Sequence, residues 1–305
     1  MKTKTYYSVL LIGFALLAPF IFYPVFLAKL LCFALFACAF NLLLGFVGVL
    51  SFGHAAFLGT GGYITGWLMV NSGLTPEIAI LAGTLAGGLL GAGYGLLAIR
   101  REGIYFAMIT LALAQLIFFL YLQAPFTGGE DGLQGVPRGM LFGVIDLTNN
   151  MAMYYVVLAI FIFGFLTVYR TVHSPFGQVL KAIRENEPRA TSLGYNVNHY
   201  KWVAFIISSM LSALAGSTKT LVFGLASLTD VHWHTSGEVI LMTLVGGVGT
   251  IFGPVIGAGV VITLQNYFSS GQFGNYIHII MGIVFIVCVL GFRSGIVGKF
   301  NEYFK

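Results

Sequence analysis

Five polar side chains stand inside long apolar runs: Asn41, Ser51, His54, Thr110 and Gln115. An amide, hydroxyl or imidazole buried without a partner costs roughly 2–7 kcal/mol, so each must meet a neighbouring helix, a carbonyl or water. Two arrangements satisfy that demand. One is hydrogen bonding between helices, worth about 0.6 kcal/mol on average in a membrane. The other is the lining of a path for a polar solute. In the stretch from Asn41 to Phe57, NLLLGFVGVLSFGHAAF, the glycines permit either close packing or unwound backbone, and unwound backbone can meet the ammonium or carboxylate of a substrate. Glu238, at the start of an apolar run, suits either a proton or sodium site or an interfacial acid at a helix N-terminus. His232-Trp233-His234 offers only two imidazoles, too few for a structural zinc site, and Trp fits the interfacial belt. No Gly-x-x-x-x-Gly-Lys-Ser/Thr loop and no Ser/His/Asp signature occurs, so neither ATP hydrolysis nor acyl-transfer chemistry is expected of this chain, and no metal or cofactor site.

The longest polar stretch is Ser174–Tyr195, SPFGQVLKAIRENEPRATSLGY. It lies in the segment 170–201, which carries five of the 15 Lys and Arg: Arg170, Lys181, Arg184, Arg189 and Lys201. Ser174 is a helix cap and Pro175 suits the first helical position. Phe176, Val179, Leu180 and Ile183 then fall on one apolar face, with Lys181, Arg184 and Glu185 off it. Pro188 ends this helix and starts a second, Pro188–Leu193, which Gly194 can close. Two short helices on the water side of a membrane protein follow, either resting on lipid headgroups or docking a soluble partner.

What surrounds them is apolar. Of 305 residues 58% are hydrophobic and 8% charged, where a soluble domain carries about a quarter charged. The composition predicts an all-α polytopic membrane protein, and 40 glycines fit close helix packing in lipid. A net charge of +5 spread beside apolar runs sets orientation and does not suggest nucleic acid. Cys32, Cys38 and Cys288 lie inside apolar runs and predict no disulfide framework. Spans are expected near Ser8–Tyr23, Leu30–Leu50, His54–Val70, Ile78–Ile99, Ile104–Leu122, Met151–Tyr169 and Trp202–Leu221. The run Val239–Phe268 is too long for one span and splits at Gly249–Pro254. With a last span near Tyr276–Gly291 the total is about ten, which puts Arg293, Lys299 and Lys305 on the cytoplasmic side. Arg100-Arg101-Glu102 then marks a cytoplasmic turn, and the acidic segment 124–150 and the stretch Phe223–Ser236 form outer loops, with Lys219 snorkelling at the outer end of its span. Gly45-Phe46-Val47-Gly48 with Phe52-Gly53 is echoed by Gly246-Gly247-Val248-Gly249 with Phe252-Gly253, and paired glycine-rich interruptions point to a path near the midplane.

Several of these stretches resemble one family. Ser174-Pro175-Phe176-Gly177, then Ala182-Ile183-Arg184-Glu185-Asn186-Glu187 and Leu193-Gly194-Tyr195, look like the coupling loop of ABC-importer permeases. Asn41–Gly62, Gly103–Gln115, Thr127–Pro137 and Leu228–Gly259 are similar to the branched-chain amino acid permease family, and within it to the LivM-type subunit. The resemblance implies that 1–305 is a single transmembrane domain with the ABC-importer permease fold. It also implies a bacterial inner-membrane location among lipid, and a coupling role for Ser174, Pro175, Phe176, Gly177, Ala182, Arg184, Glu185, Asn186 and Gly194. The implied partners are two ATP-binding subunits, which hold the ATP and Mg, a sister permease, and a periplasmic substrate-binding protein. The implied cargo is a branched-chain amino acid. The alternatives are another amino acid, urea or a short amide, or an ion-coupled secondary transporter.

Overall fold

The computed structural model describes residues 16–269, 277–291 and 295–298. Prolines open several helices where an N–H would have no partner in any case. Pro24 begins α1 (Pro24–Asn41), Pro76 begins α3 (Pro76–Ala98) and Pro175 begins α6 (Pro175–Glu185). Between them come α2 (His54–Asn71), α4 (Ile104–Gln123) and α5 (Asn150–His173). After α6 follow α7 (Glu187–Ser192), α8 (Val197–Phe223), α9 (Trp233–Gly246), α10 (Gly253–Ser269) and α11 (Ile277–Gly291). Among the described residues five helices are long and apolar enough to cross a membrane, which makes this a multi-pass membrane protein. The split expected near Gly249–Pro254 is present: α9 has 14 residues and α10 has 17, with the chain irregular between Gly247 and Phe252. Residues 16–21 are helical. The rest of the expected first span, Tyr276 of the last one, and Arg293, Lys299 and Lys305 lie outside the described residues.

α1 occupies the centre. In its most apolar window, which runs into the segment after it, 89% of the residues are buried, against 17% for α4. It packs on α5, α8, α9 and α10, while α8 also holds α2 and α3. In lipid, such contacts depend on van der Waals fit, so small residues mark the closest crossings. A Cβ added at Gly216 of α8 would lie 1.8 Å from the Leu58 carbonyl oxygen of α2, and one at Gly61 would lie 2.2 Å from that of Ala213.

The expected outer loop Phe223–Ser236 is folded inward. Leu225–Ala226 (β4) pairs antiparallel with Leu133–Gln134 (β1). The chain then runs down the side of α2: Ala226, Leu228 and Val231 pack around Tyr63, Val231 meets Gly59, and Ser236 bonds the amide of Ala55. Lys219 therefore does not snorkel. It pairs with Asp230 of this inward segment, and both side chains are nearly buried, 16% and 12% exposed. Burying two opposite charges together is cheaper than leaving either alone. In the segment 124–150, Met140–Leu141 (β2) and Ile145–Asp146 (β3) form a hairpin. Arg138 ties that segment to α5 and α8 through the Asn150 side chain and the Val222 carbonyl, both at 2.7 Å.

α6 and α7 lie at the other end of α5. Ser174 caps α6 as expected, accepting from the Gly177 amide at 3.2 Å, and Asn186 caps α7, accepting from the Arg189 amide at 3.0 Å. Gly194 closes the pair with φ +89°. The apolar face is the one read from the spacing. α6 packs on residues 42–47, Leu180 shares a buried cluster with Leu43 and Val47, Ile183 shares one with Ala190 and Val197, and Phe176 stacks on Tyr200 at 5.4 Å. Lys201 of α8 reaches both carboxylate oxygens of Glu187 at 2.6 Å and fastens α7 to the body.

Two expectations follow. Gly216→Val should cost more than the ~1–3 kcal/mol of ordinary overpacking, because backbone is what it strikes. Gly93→Ala, with nothing within 4 Å of the new Cβ, should not destabilise. Thermal unfolding in detergent compares them. Lys201→Met alone should loosen α7 by somewhat less than the ~3–5 kcal/mol of a fully buried pair, since Glu187 keeps partial access to water. The double variant with Glu187→Gln should recover most of that loss, read as protease cleavage within 186–196.

Candidate functional site

The two glycine-rich interruptions meet. α1 does not stop at Asn41 but loosens into a π-helical turn, Leu42–Val47, which ends at Gly48 with φ +83°. The equivalent glycine of the echo, Gly249, has φ +76°. Both values lie in the left-handed region where only glycine is comfortable. Asn41 joins the two breaks. Its Nδ2 donates to the Thr250 carbonyl at 2.9 Å, and its Oδ1 accepts from the Gly249 amide at 3.0 Å. The amide of Asn41 thus serves backbone groups that the break in the helix has freed.

Residues Gly48–Gly53 run without helical structure, and polar groups there are met from α4, from α9 and from within the segment. The Phe52 amide donates to Thr110 Oγ1 at 3.1 Å, while Thr110 itself donates to the Ala107 carbonyl at 2.9 Å. Ser236 Oγ donates to the Phe52 carbonyl at 2.7 Å and accepts from the Ala55 amide at 2.9 Å. Ser51 Oγ accepts from the Gly53 amide at 3.1 Å. His54 is fully buried, ringed by Phe40, Phe57 and Phe205. His54 Nε2 lies 2.9 Å from Ser208 Oγ, which itself donates to the Ala39 carbonyl at 2.5 Å. His54 Nδ1 and the hydroxyl of Tyr63 are the buried side-chain polar atoms without a partner among the described residues.

A cavity of about 650 Å³ opens beside this unwound segment. Its wall is mostly apolar, with Leu43, Val47, Phe52, Phe106 and Phe205 prominent, and Gly48–Leu50 add backbone. Its charged groups are Arg101, Glu102, Arg184, Glu187 and Lys201, of which the last two neutralise each other. None of the five polar residues singled out in the sequence lines it. Thr110 bonds the Phe52 amide of the wall, whereas Asn41 serves the second break, Ser51 bonds Gly53 and His54 meets Ser208; Gln115 is half-buried on α4. Glu238 is half-buried and accepts from Gln265 Nε2 at 3.0 Å, and His232 caps α9. Among the described residues no group of three His, Cys, Asp or Glu could hold a metal.

Arg184 lies off the apolar face of α6, as the spacing implies. It is exposed along its length, but its guanidinium turns inward and Nη1 donates to the carbonyl of Gly45 in the π-helical turn. A Cβ added at Gly48 would lie 3.0 Å from Arg184 Cγ, and one at Gly249 would lie 2.9 Å from its Nη1. The side chain therefore sits against both breaks. Pro175, Ala182, Glu185, Asn186 and Arg189 remain exposed on the opposite side of α6 and α7. Sequence reasoning missed Lys201, Ser208 and Ser236. Ser208 carried the signal used for Asn41, a polar side chain in an apolar run, whereas Ser236 ends a polar stretch and carried none.

Residues 24–289 match the family described as the branched-chain amino acid transport system permease component. The high-affinity branched-chain amino acid permease LivM of Escherichia coli K12 is 25% identical over 283 residues, covering 84% of this chain. The alignment spans 65% of that relative's own length. BraD of Pseudomonas aeruginosa is 23% identical over 88% of this chain and 92% of its own. The ribose import permease RbsC of Bacillus subtilis is 28% identical over 73% of this chain and 70% of its own. No solved structure matches. The chain belongs to the branched-chain amino acid transport system permease family, whose members are membrane-embedded transport subunits rather than enzymes.

Proposed function

We propose that this chain is the permease subunit of an ATP-driven ABC importer in a bacterial inner membrane, of the LivM type, and that its solute is a branched-chain amino acid. The carrying observation is the two-sided build of α6 and α7. One face is seated on the break of α1 through Leu180, and the other presents Glu185, Asn186 and Arg189 to solvent. Such a face suits a soluble partner better than lipid, because the charged side chains it exposes carry both signs. The partners are two ATP-binding subunits on that face, a sister permease in the membrane, and a periplasmic binding protein on the face of segment 124–150. About ten spans, with 170–201 in the cytoplasm, agree with the basic residues near α6.

Nucleotide-driven approach of the ATP-binding subunits moves α6, and α6 moves the unwound backbone beside the cavity. The cavity forms the inner end of the path. Its apolar wall and charged rim suit a small solute with an apolar side chain and a charged head. The names of LivM and BraD support a branched-chain amino acid, whereas RbsC supports a sugar.

Uptake in cells carrying this system separates these solutes. Labelled leucine should accumulate and be displaced by excess isoleucine or valine but not by ribose, and the reverse pattern would refute the assignment. Glu185→Lys with Arg189→Glu should abolish co-purification of the ATP-binding subunit and lower uptake to background. The wild-type chain purifying alone, while still moving solute without ATP, would refute the importer itself.

A further inference from the structure

α6 touches the membrane body through apolar contacts, through Lys181 over the Phe46 ring at 5.9 Å, and through Arg184. The contacts of Leu180 and Ile183 are apolar and without direction, so a helix can slide or tilt across them. The bond from Arg184 to the Gly45 carbonyl is different, because it is directional, charge-assisted and made to backbone. Its acceptor lies in a π-helical turn, and π-turns within α-helices frequently mark functional sites. The second break is tied to the first by both groups of the Asn41 amide. A pull on Gly45 therefore reaches Gly249 and Thr250 through Asn41.

We propose that Arg184 is the positioning residue that links α6 to both helix breaks, so that displacement of α6 opens or closes the unwound segment beside the cavity. The inference rests on the importer reading and gives that coupling surface an inward contact. Arg184 is then not an anchor for the ATP-binding subunit. The glycines at the crossing are part of the device. A side chain at Gly249 would press on the guanidinium, and one at Gly48 would press on its stem. Lysine is a poor replacement, because it has no planar fork to keep one donor on Gly45 while others face the cavity.

The test uses the whole complex in proteoliposomes with its binding protein, and measures three quantities: retained ATP-binding subunit, basal ATP hydrolysis and solute uptake. Arg184→Ala should keep the subunit and basal hydrolysis but lower uptake at least about tenfold, the factor carried by a hydrogen bond to a charged group. Arg184→Lys should recover only a small part. Gly48→Ala perturbs the same crossing from the other side and should give the same split, which keeps the test open should Arg184→Ala fail to fold. Loss of the ATP-binding subunit or of basal hydrolysis in these variants overturns the inference, as does uptake within about twofold of wild type, a difference too small for a charge-assisted bond. If the wild-type complex itself lacks an ATP-binding subunit, the importer reading falls first and takes this inference with it.

Discussion

A backbone N–H or C=O that loses its helical partner inside a membrane has no water to turn to. Among the described residues two adjoining interruptions of the helices stand out, at 42–53 and 247–252, and much of the rest serves to satisfy what they release. Asn41 supplies the second break, Thr110 and Ser236 supply Phe52, and Arg184 reaches Gly45. The donors and acceptors come from α1, α4, α9 and α6. The breaks thus draw together elements that apolar packing alone would leave free to slide.

The same constraint explains why α1 is central. A helix that ends in exposed polar backbone must be covered all round, and α5, α8, α9 and α10 cover it. Close cover without strain needs small residues, which is why Gly216 meets backbone of α2 with no room for a methyl group. The inward segment from Ala226 to Ser236 belongs to this cover, because it carries Ser236 to the unwound Phe52. The two helices α6 and α7 close the structure where the breaks come nearest to one end. Anything that displaces them acts on the least regular backbone in the chain.

Much of this was legible from residue types. Pro24, Pro76 and Pro175 mark helix starts, Ser174 and Gly194 mark the ends of the polar hairpin, and the apolar spacing of Phe176 to Ile183 gives the seated face. The echo of Gly48 in Gly249 corresponds to a shared backbone conformation. Other features had no local signal. Arg184 and Gly45 are 139 residues apart, and a charge off an apolar face reads the same whether it turns to solvent or curls back. Lys201 and Glu187 lie on different helices, and only the turn between α7 and α8 brings them together. Composition reports polarity and not depth, so the inward course of the chain from Ala226 to Ser236 had no signal either. For the same reason Asn41, His54 and Thr110 were legible as residues needing partners, but whether those partners were solute or backbone was not.

The central claim is that α6 and α7 form the surface by which a soluble ATP-binding subunit acts on this chain. A photo-crosslinking residue at Gln178, exposed on α6, addresses it directly, with Phe142, exposed at the opposite end, as the control. In intact cells the account predicts a covalent adduct with the ATP-binding subunit from position 178 and none from 142. No adduct from 178, or equal adducts from both positions, would contradict it.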